Sequence, residues 1–140
     1  MNGNKFKIIL GFLLLAIAVL VASIYYYNKP HVNVEKTNAA YILTAGNLIS
    51  EYQENETNTN RKYTEKIIQI NGEIHEISTL KGNSVITIRN EDQESSIICH
   101  MLPSERGKSL LLKKGQKVSI KGVCTGYLLD VIMVRCILVE

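Results

Sequence analysis

The sequence predicts a mainly β domain with helices, placed behind an N-terminal transmembrane helix. Three observations lead to this fold class: an uncharged apolar run near the N-terminus, an apolar stripe at helical spacing after it, and an apolar period of two from Lys66 onward. The boundaries that we expect are 1–27 for a cytoplasmic tip and transmembrane anchor, 28–38 for a tether, 39–62 for an amphipathic helix and loop, and 63–140 for a β-barrel.

The anchor is predicted from the segment Ile8 to Tyr27, IILGFLLLAIAVLVASIYYY, which carries no charge. A helix of this length spans about 30 Å, the thickness of a bilayer's hydrocarbon core. Lys5 and Lys7 precede the run, whereas only Lys29 follows it closely. The positive-inside rule therefore predicts a single-pass protein with a cytoplasmic N-terminus and a periplasmic or otherwise extracytoplasmic C-terminal domain.

A cleaved signal peptide is the alternative interpretation of the same run. The small residues of Val21-Ala22-Ser23 offer a cleavage site. Cleavage there would leave Ile24 and the tyrosines Tyr25 to Tyr27 at a new N-terminus, although these aromatic side chains suit a membrane interface. We therefore favour an uncleaved anchor.

The charge of the remaining chain is close to neutral. The whole chain has 16 Lys and Arg against 13 Asp and Glu. With Lys5 and Lys7 set aside, 16 − 2 leaves 14 basic against 13 acidic residues, a net charge of +1. A domain with this balance lacks the strongly basic surface of a general nucleic-acid binder.

An amphipathic helix is predicted after the tether, with either Thr37 or Thr44 as its N-cap. The polar segment 55–62 is expected to end the helix or to form a loop. The apolar stripe recurs at helical spacing through Tyr41, Ala45, Leu48, Ile49 and Tyr52.

Five strands are then predicted, with a short helix over 103–112 between the third and the fourth. Gly72 inside the first strand suggests a bend or bulge, which barrels need at their corners. The order β-β-β-α-β-β predicts a five-stranded OB-like barrel, whereas a small SH3-like barrel would lack the helix. The predicted strands are 66–77, 84–89, 96–101, 116–123 and 129–139, with Gly126 turning the chain into the last.

The residues of these elements resemble the tRNA_anti-like family of OB-fold, mostly bacterial and exported proteins. The resemblance runs from Ala45 to Cys136 and is most specific in the run LKKGQKVSIKGVCTGYLLDV, residues 112–131. Thr59 stands where the family pattern usually has Ala, and the lipid-bearing cysteine common in the family is absent. The resemblance implies the fold and export. It implies no chemistry, because the family name reflects a likeness to tRNA-anticodon-binding domains at the level of fold.

Nucleic-acid binding is disfavoured because an OB-type site needs stacking aromatics on the face of strands two and three. Apart from the aromatics of the anchor and the amphipathic helix region, only Tyr127 remains, predicted in the loop between strands four and five. By alternation, the outer face would instead present Thr87, Arg89, Ser96 and His100.

No catalytic, cofactor-binding or metal-binding residues are expected. Cys99 and His100 are neighbours, but adjacent side chains in a strand point to opposite faces. The three cysteines and three histidines do not show the spacing of a zinc site. Asp130 is expected to accept hydrogen bonds from the backbone amides of the turn before the last strand.

The cysteines allow a disulfide or three buried thiols. Strands three and five are adjacent in an OB barrel, so Cys99–Cys136 is the first expectation for a pair, with Cys124 as the alternative partner. Lys113, Lys114, Lys117 and Lys121 form a basic cluster. This cluster is expected to be a solvated face, and the alternative is contact with anionic lipid headgroups.

These observations predict a membrane-anchored extracytoplasmic OB-fold binding module without catalytic activity, whose partner is an envelope protein or a glycan. The alternative is an OB domain that binds oligonucleotides or oligosaccharides. The expected contact residues are Tyr127, Arg89, His100 and Lys121, and no cofactor is expected.

Overall fold

The computed structural model describes residues 2–140, which form two compact units. Met1, part of the predicted cytoplasmic tip, lies outside the described residues. The first unit ends at Val32 and contains α1, Gly3–Tyr27. With 25 residues and a mean hydropathy of 2.8 over its apolar window, α1 is long and apolar enough to cross a membrane. Signal sequences share this property.

The second unit runs from Asn33 to Glu140 and combines a barrel with short helices. Its elements are β1 (Tyr41–Thr44), α2 (Ala45–Glu54), α3 (Glu56–Tyr63), β2 (Ile67–Leu80), β3 (Asn83–Ile88), β4 (Ile97–Met101), a 3-10 turn (Pro103–Glu105), α4 (Arg106–Ser109), β5 (Lys117–Leu128) and β6 (Asp130–Val139).

Five of the strands close into a barrel in the order β2-β3-β4-β6-β5, because β5 pairs back to β2. The long strand β2 makes this closure possible: Ile67–Glu73 pair with β5, and Ile74–Leu80 pair with β3. Gly72 lies before the change of partner, where a Cβ would come within 2.5 Å of Ile88 Cγ2. The predicted five-stranded OB-like barrel is confirmed.

The amphipathic helix begins at the later of its two predicted N-caps, Thr44, so that Tyr41, which was expected in the helix, lies before it. The residues Tyr41–Thr44 form a parallel strand on β2, and α2 begins at Ala45. Thr44 is the N-cap, since its hydroxyl accepts a hydrogen bond from the amide of Asn47 at 3.2 Å. The segment YILT is rich in strand-forming residues, and the edge of β2 offers it backbone partners that the local helical spacing does not reveal.

The polar segment ends the amphipathic helix, as predicted, because α2 stops at Glu54. The residues that follow form α3, so the alternative prediction of a loop was wrong. Asn55 caps this helix by accepting from the amide of Asn58 at 3.1 Å. Its first turn contains the acidic Glu56 and its last turn contains the basic Arg61 and Lys62. These charges stabilise the helix, because the helix dipole is positive at the N-terminus and negative at the C-terminus. Few apolar residues mark α3, so a hydrophobic pattern could not reveal it.

The last hairpin turns later than predicted. β5 continues to Leu128, and the turn residue Leu129 has φ of 69°. Gly126, with φ of 129°, instead accompanies a register shift within β5. Tyr127 therefore lies in a strand, paired with Val131, and its predicted place in a loop was wrong.

Part of the predicted tether belongs to the second unit. Val34 is 2% exposed and forms a small cluster with Ile67, Val123 and Ile137. These strand residues point away from the main core, because their neighbours in β2, β5 and β6 fill the barrel. The barrel interior is filled mainly by Ile68, Ile70, Ile74, Ile86, Ile88, Ile97, Cys99, Ile120, Val131, Met133 and Cys136.

Candidate binding face

The outer face of β3, β4 and β6 carries a row of three half-buried side chains. Thr87 pairs with Ile98, and Ile98 pairs with Ile132. Because neighbouring strands lie about 4.8 Å apart, the row forms a continuous strip about 10 Å wide. We call Thr87, Ile98 and Ile132 the aliphatic strip.

Polar and charged groups lie around the strip. Glu76 pairs with Thr87 on the β2 side, and His100 lies one row away, paired with Val85. Arg89 follows the end of β3 on the other side of the row. Alternation places the two predicted contact residues Arg89 and His100 on the face of the strip, but the antiparallel pairing of β3 with β4 puts them on opposite sides of the row.

No tyrosine of the second unit is free to stack on a ligand at the strip. The four tyrosines between Asn33 and Glu140 form two pairs, with ring centroids 5.0 Å apart for Tyr41 and Tyr63 and 5.1 Å apart for Tyr52 and Tyr127. Lys62 lies over Tyr63, with its Nζ 4.7 Å from the ring centroid. The aromatic rings thus serve packing within the domain.

Tyr127 and Lys121 are held by intramolecular contacts. The hydroxyls of Tyr127 and Ser95 lie 3.0 Å apart and share a hydrogen bond. The Nζ of Lys121 donates to the carbonyl of Thr37 at 3.0 Å, which ties β5 to the segment before β1. Tyr127 also lines a pocket of about 440 Å³ together with Ile132, a residue of the aliphatic strip. The roles of Tyr127 and Lys121 as contact residues stay predictions.

Asp130 accepts hydrogen bonds as expected, although its partner lies in another segment. Its carboxylate accepts from the amide and the hydroxyl of Ser96, at 2.7 and 2.8 Å. This contact joins the start of β4 to the start of β6. The role is structural, because both hydrogen bonds hold the two strands in register.

The three cysteines are free and buried. Burial raises the pKa of the Cys136 thiol well above 9.0, and the neighbouring Cys99 raises it further. Burial also raises the pKa of Cys124, whose sulfur lies 3.5 Å from the hydroxyl of Tyr52. These two thiols are therefore kept protonated and away from solvent. The Cys99–Cys136 pair stays a prediction.

A concave surface separate from the aliphatic strip crosses the bend of β2. It encloses about 630 Å³ and combines polar side chains, Asn71, Glu73 and Gln116, with the aliphatic Leu112 and Leu138. Asn71 accepts from the hydroxyl of Ser119 at 2.6 Å, so one of its polar groups is already used. Within residues 2–140, no group of three His, Cys, Asp or Glu side chains could hold a metal ion.

Sequence reasoning missed Ile98 and Ile132. In a strand such as SIICHM every apolar residue resembles a core residue, and the pairing with β3 and β6 shows which residues lie beside one another on the outer face. The signal available was the alternation with Cys99, which places Ile98 on the face of His100.

Comparison with known proteins is consistent with this fold. No curated protein matches the chain. One similar structure is a lipoprotein of Klebsiella pneumoniae subsp. pneumoniae MGH 78578, which is described as a candidate nucleic-acid binder. The two structures superpose with a TM-score of 0.58 and 14% sequence identity, over 70% of this chain and 91% of that chain. A chain of the S. pombe Stn1–Ten1 complex gives a TM-score of 0.43 and 18% identity over 53% of this chain and 58% of that chain.

The family comparison extends further along the sequence than the predicted resemblance. The tRNA_anti-like family model matches residues 1–138, which include α1 as well as the barrel. The likeness to the Klebsiella lipoprotein shows the fold alone, because the sequence identity is only 14%. The chain therefore belongs to the tRNA_anti-like family.

Proposed function

We propose that the chain is a membrane-anchored OB-fold module that binds a protein partner outside the cytoplasm through the aliphatic strip. The observation that carries this proposal is the row formed by Thr87, Ile98 and Ile132 across three neighbouring strands. Protein interfaces commonly combine an apolar centre, here the side chains of Ile98 and Ile132 beside the methyl group of Thr87, with a polar rim, here Glu76, His100 and Arg89.

Anchoring is supported by the length and composition of α1. The helix has 25 residues, a mean hydropathy of 2.8 over its apolar window, and no part of that window buried. Lys5 and Lys7 near its N-terminal end favour a cytoplasmic N-terminus and hence an extracytoplasmic barrel.

A binding role is also the one that the side-chain chemistry favours over catalysis. The thiols of Cys124 and Cys136, both potential nucleophiles, are buried, and their raised pKa values oppose formation of the thiolate. The carboxylate of Asp130 is engaged by Ser96. Binding of a partner protein, in contrast to catalysis, requires no reactive group and can use the surface of the strip.

Nucleic-acid binding is the second candidate function. Arg89 and His100 near the strip favour it, since both can donate hydrogen bonds to phosphate, and the Klebsiella lipoprotein is described in these terms. The pairing of all four tyrosines of the second unit opposes it, because single-stranded nucleic acids bind largely by stacking on aromatic rings.

Site-specific cross-linking in cells tests the proposal. A photo-reactive amino acid replaces Ile98 in the full-length chain, and the matched control carries it at Gln53, an exposed position on α2. We expect a discrete protein adduct from position 98 that is absent from position 53 and is lost when Thr87→Arg places a charge in the strip. Equal adducts from both positions, or adducts that Thr87→Arg leaves unchanged, would contradict the proposal.

The two candidates differ in their response to salt. Phosphate contacts release counterions, so binding to a single-stranded oligonucleotide weakens steeply as salt rises. Tight binding with such a slope, reduced by Arg89→Gln, would favour the second candidate. No binding at low salt would exclude it.

The orientation has its own test. If the barrel lies outside the cytoplasm, a cysteine introduced at the exposed Glu91 should react with a membrane-impermeant maleimide while the cytoplasmic membrane is intact. The signal is specific to position 91 because the native cysteines are buried. Reaction only after lysis of that membrane would contradict the extracytoplasmic placement.

A further inference from the structure

Two leucines are exposed where the chain leaves α4. Leu110 is 69% exposed and Leu111 is 80% exposed, whereas Leu112 packs against the main core. Leaving large aliphatic side chains in water forgoes the free energy of their burial. Leu110 and Leu111 are not part of the aliphatic strip, and neither is buried in the main core.

Five cations lie in the same segment: Arg106, Lys108, Lys113, Lys114 and Lys117. Three carboxylates lie near them. Lys108 is 3.9 Å from Glu105, Lys117 pairs in register with Glu73, and Lys114 shares a shallow pocket with Glu76 and His75. Across residues 2–140, Arg106 and Lys113 have no carboxylate within 4.0 Å.

The segment is held in place from below. The carboxylate of Glu105, which is 6% exposed, accepts from the amide of Leu138 at 3.0 Å. The buried hydroxyl of Ser109 donates to the carbonyl of Glu105 at 2.9 Å. The leucines and cations are therefore presented by a fixed turn, which lowers the conformational cost of docking.

A second leucine pair in the chain lacks the charges. Leu128 and Leu129, at the β5–β6 turn, are 85% and 84% exposed. The segment 125–134 around them contains Asp130 and no Lys or Arg. The two pairs thus have similar aliphatic exposure and different electrostatic surroundings.

We propose that residues 106–117 dock on an anionic phospholipid surface. Leu110 and Leu111 enter the boundary between headgroups and acyl chains, and the cations lie at the lipid phosphates. Interfacial segments bind in this way, through apolar insertion combined with attraction to anionic lipid. The net positive charge of the segment favours this surface over a neutral one. The docking goes beyond the proposed function, because it uses a surface separate from the aliphatic strip.

The absence of tryptophan from the sequence gives a direct probe. Leu111→Trp and the matched control Leu129→Trp each introduce one tryptophan at an exposed leucine of the full-length chain. Each variant is reconstituted into vesicles of phosphatidylcholine, alone or with phosphatidylglycerol, that contain brominated lipid as a quencher. Flotation first establishes that the chain is associated with the vesicles.

We expect the emission of Leu111→Trp to shift to shorter wavelength and to lose intensity in vesicles with phosphatidylglycerol. Both changes should weaken in phosphatidylcholine alone, at high salt, and when Lys113→Gln and Lys114→Gln are added. The Leu129→Trp control should be insensitive to phosphatidylglycerol.

Three outcomes would overturn the docking proposal: no quenching of Leu111→Trp, equal quenching with and without phosphatidylglycerol, or equal behaviour of Leu129→Trp. A chain that floats without quenching contradicts docking alone. A chain that does not float with anionic vesicles contradicts both docking and the anchoring included in the proposed function.

Discussion

The ring of Tyr127 stacks on the ring of Tyr52, with centroids 5.1 Å apart and planes inclined by 16°. The contact joins β5 to α2, two elements that are far apart in sequence. Tyr52 is 1% exposed, so α2 is packed onto the barrel through a buried aromatic side chain. The helix before the barrel is therefore part of the folded domain.

Replacing Tyr127 should destabilise the domain according to how much of the ring is removed. Tyr127→Ala loses the stacking and the buried ring area, and we expect it to lower the free energy of unfolding by about 2–3 kcal/mol. Tyr127→Phe loses only the hydrogen bond to Ser95, for about 1 kcal/mol. Denaturant unfolding in detergent, followed by circular dichroism, measures both, and equal effects of the two changes would contradict the stacking argument.

Gly122 should not tolerate a side chain. A Cβ there would lie 2.5 Å from the sulfur of Cys136 and 3.1 Å from the carbonyl oxygen of Val134. We expect Gly122→Ala to cost about 2 kcal/mol, because the core must shift to accept it.

A double-mutant cycle isolates the sulfur contact. Gly122→Ala combined with Cys136→Ala should cost less than the sum of the two single changes, since the clashing sulfur is gone. Additive costs from the same unfolding measurement would show that the backbone contact dominates.

Loss of the Asp130 carboxylate should loosen the pairing of β4 with β6. Asp130→Ala leaves the amide of Ser96 without its acceptor, and we expect a loss of about 2 kcal/mol. Asp130→Asn retains one acceptor oxygen and should lose less. Hydrogen exchange of the Ser96 amide provides the local readout, and unchanged protection in Asp130→Ala would contradict the assignment.

Stability should fall at alkaline pH under reducing conditions. Burial raises the pKa of Cys124 and Cys136 above the ordinary value of 9.0, so the unfolded chain releases these protons at lower pH than the folded chain. The folded state then holds more protons, so this contribution to stability is fully present well below pH 9.0 and is lost as pH rises above that value.

The matched variant is Cys124→Ala. It should show a shallower decline of unfolding free energy with rising pH than the unchanged protein, because one titrating thiol is gone. An unchanged slope would mean that Cys124 does not contribute.

Thiol counting tests the predicted Cys99–Cys136 disulfide. Since all three thiols are buried, none should react with an alkylating reagent in the native state. After unfolding without reductant, one reactive thiol, Cys124, is expected if the disulfide forms. Three reactive thiols would show that the pair stays reduced.

The local sequence was informative where periodicity was strong. The alternation from Lys66 onward and the helix between the third and fourth strands predicted the OB-like barrel, because each strand buries one face. It was less informative where tertiary pairing decides. Tyr41 fits the helical stripe, yet the free edge of β2 draws the segment Tyr41–Thr44 into a strand.

The sequence by itself determined that an apolar helix precedes a five-stranded barrel and that the chain resembles the tRNA_anti-like family, because hydrophobic period and glycine positions are local properties. Only the tertiary structure decided that Tyr127 lies in β5 and is covered by Tyr52, and that Thr87, Ile98 and Ile132 form one row. These relationships depend on strand register and on contacts between distant segments, and no local pattern encodes either.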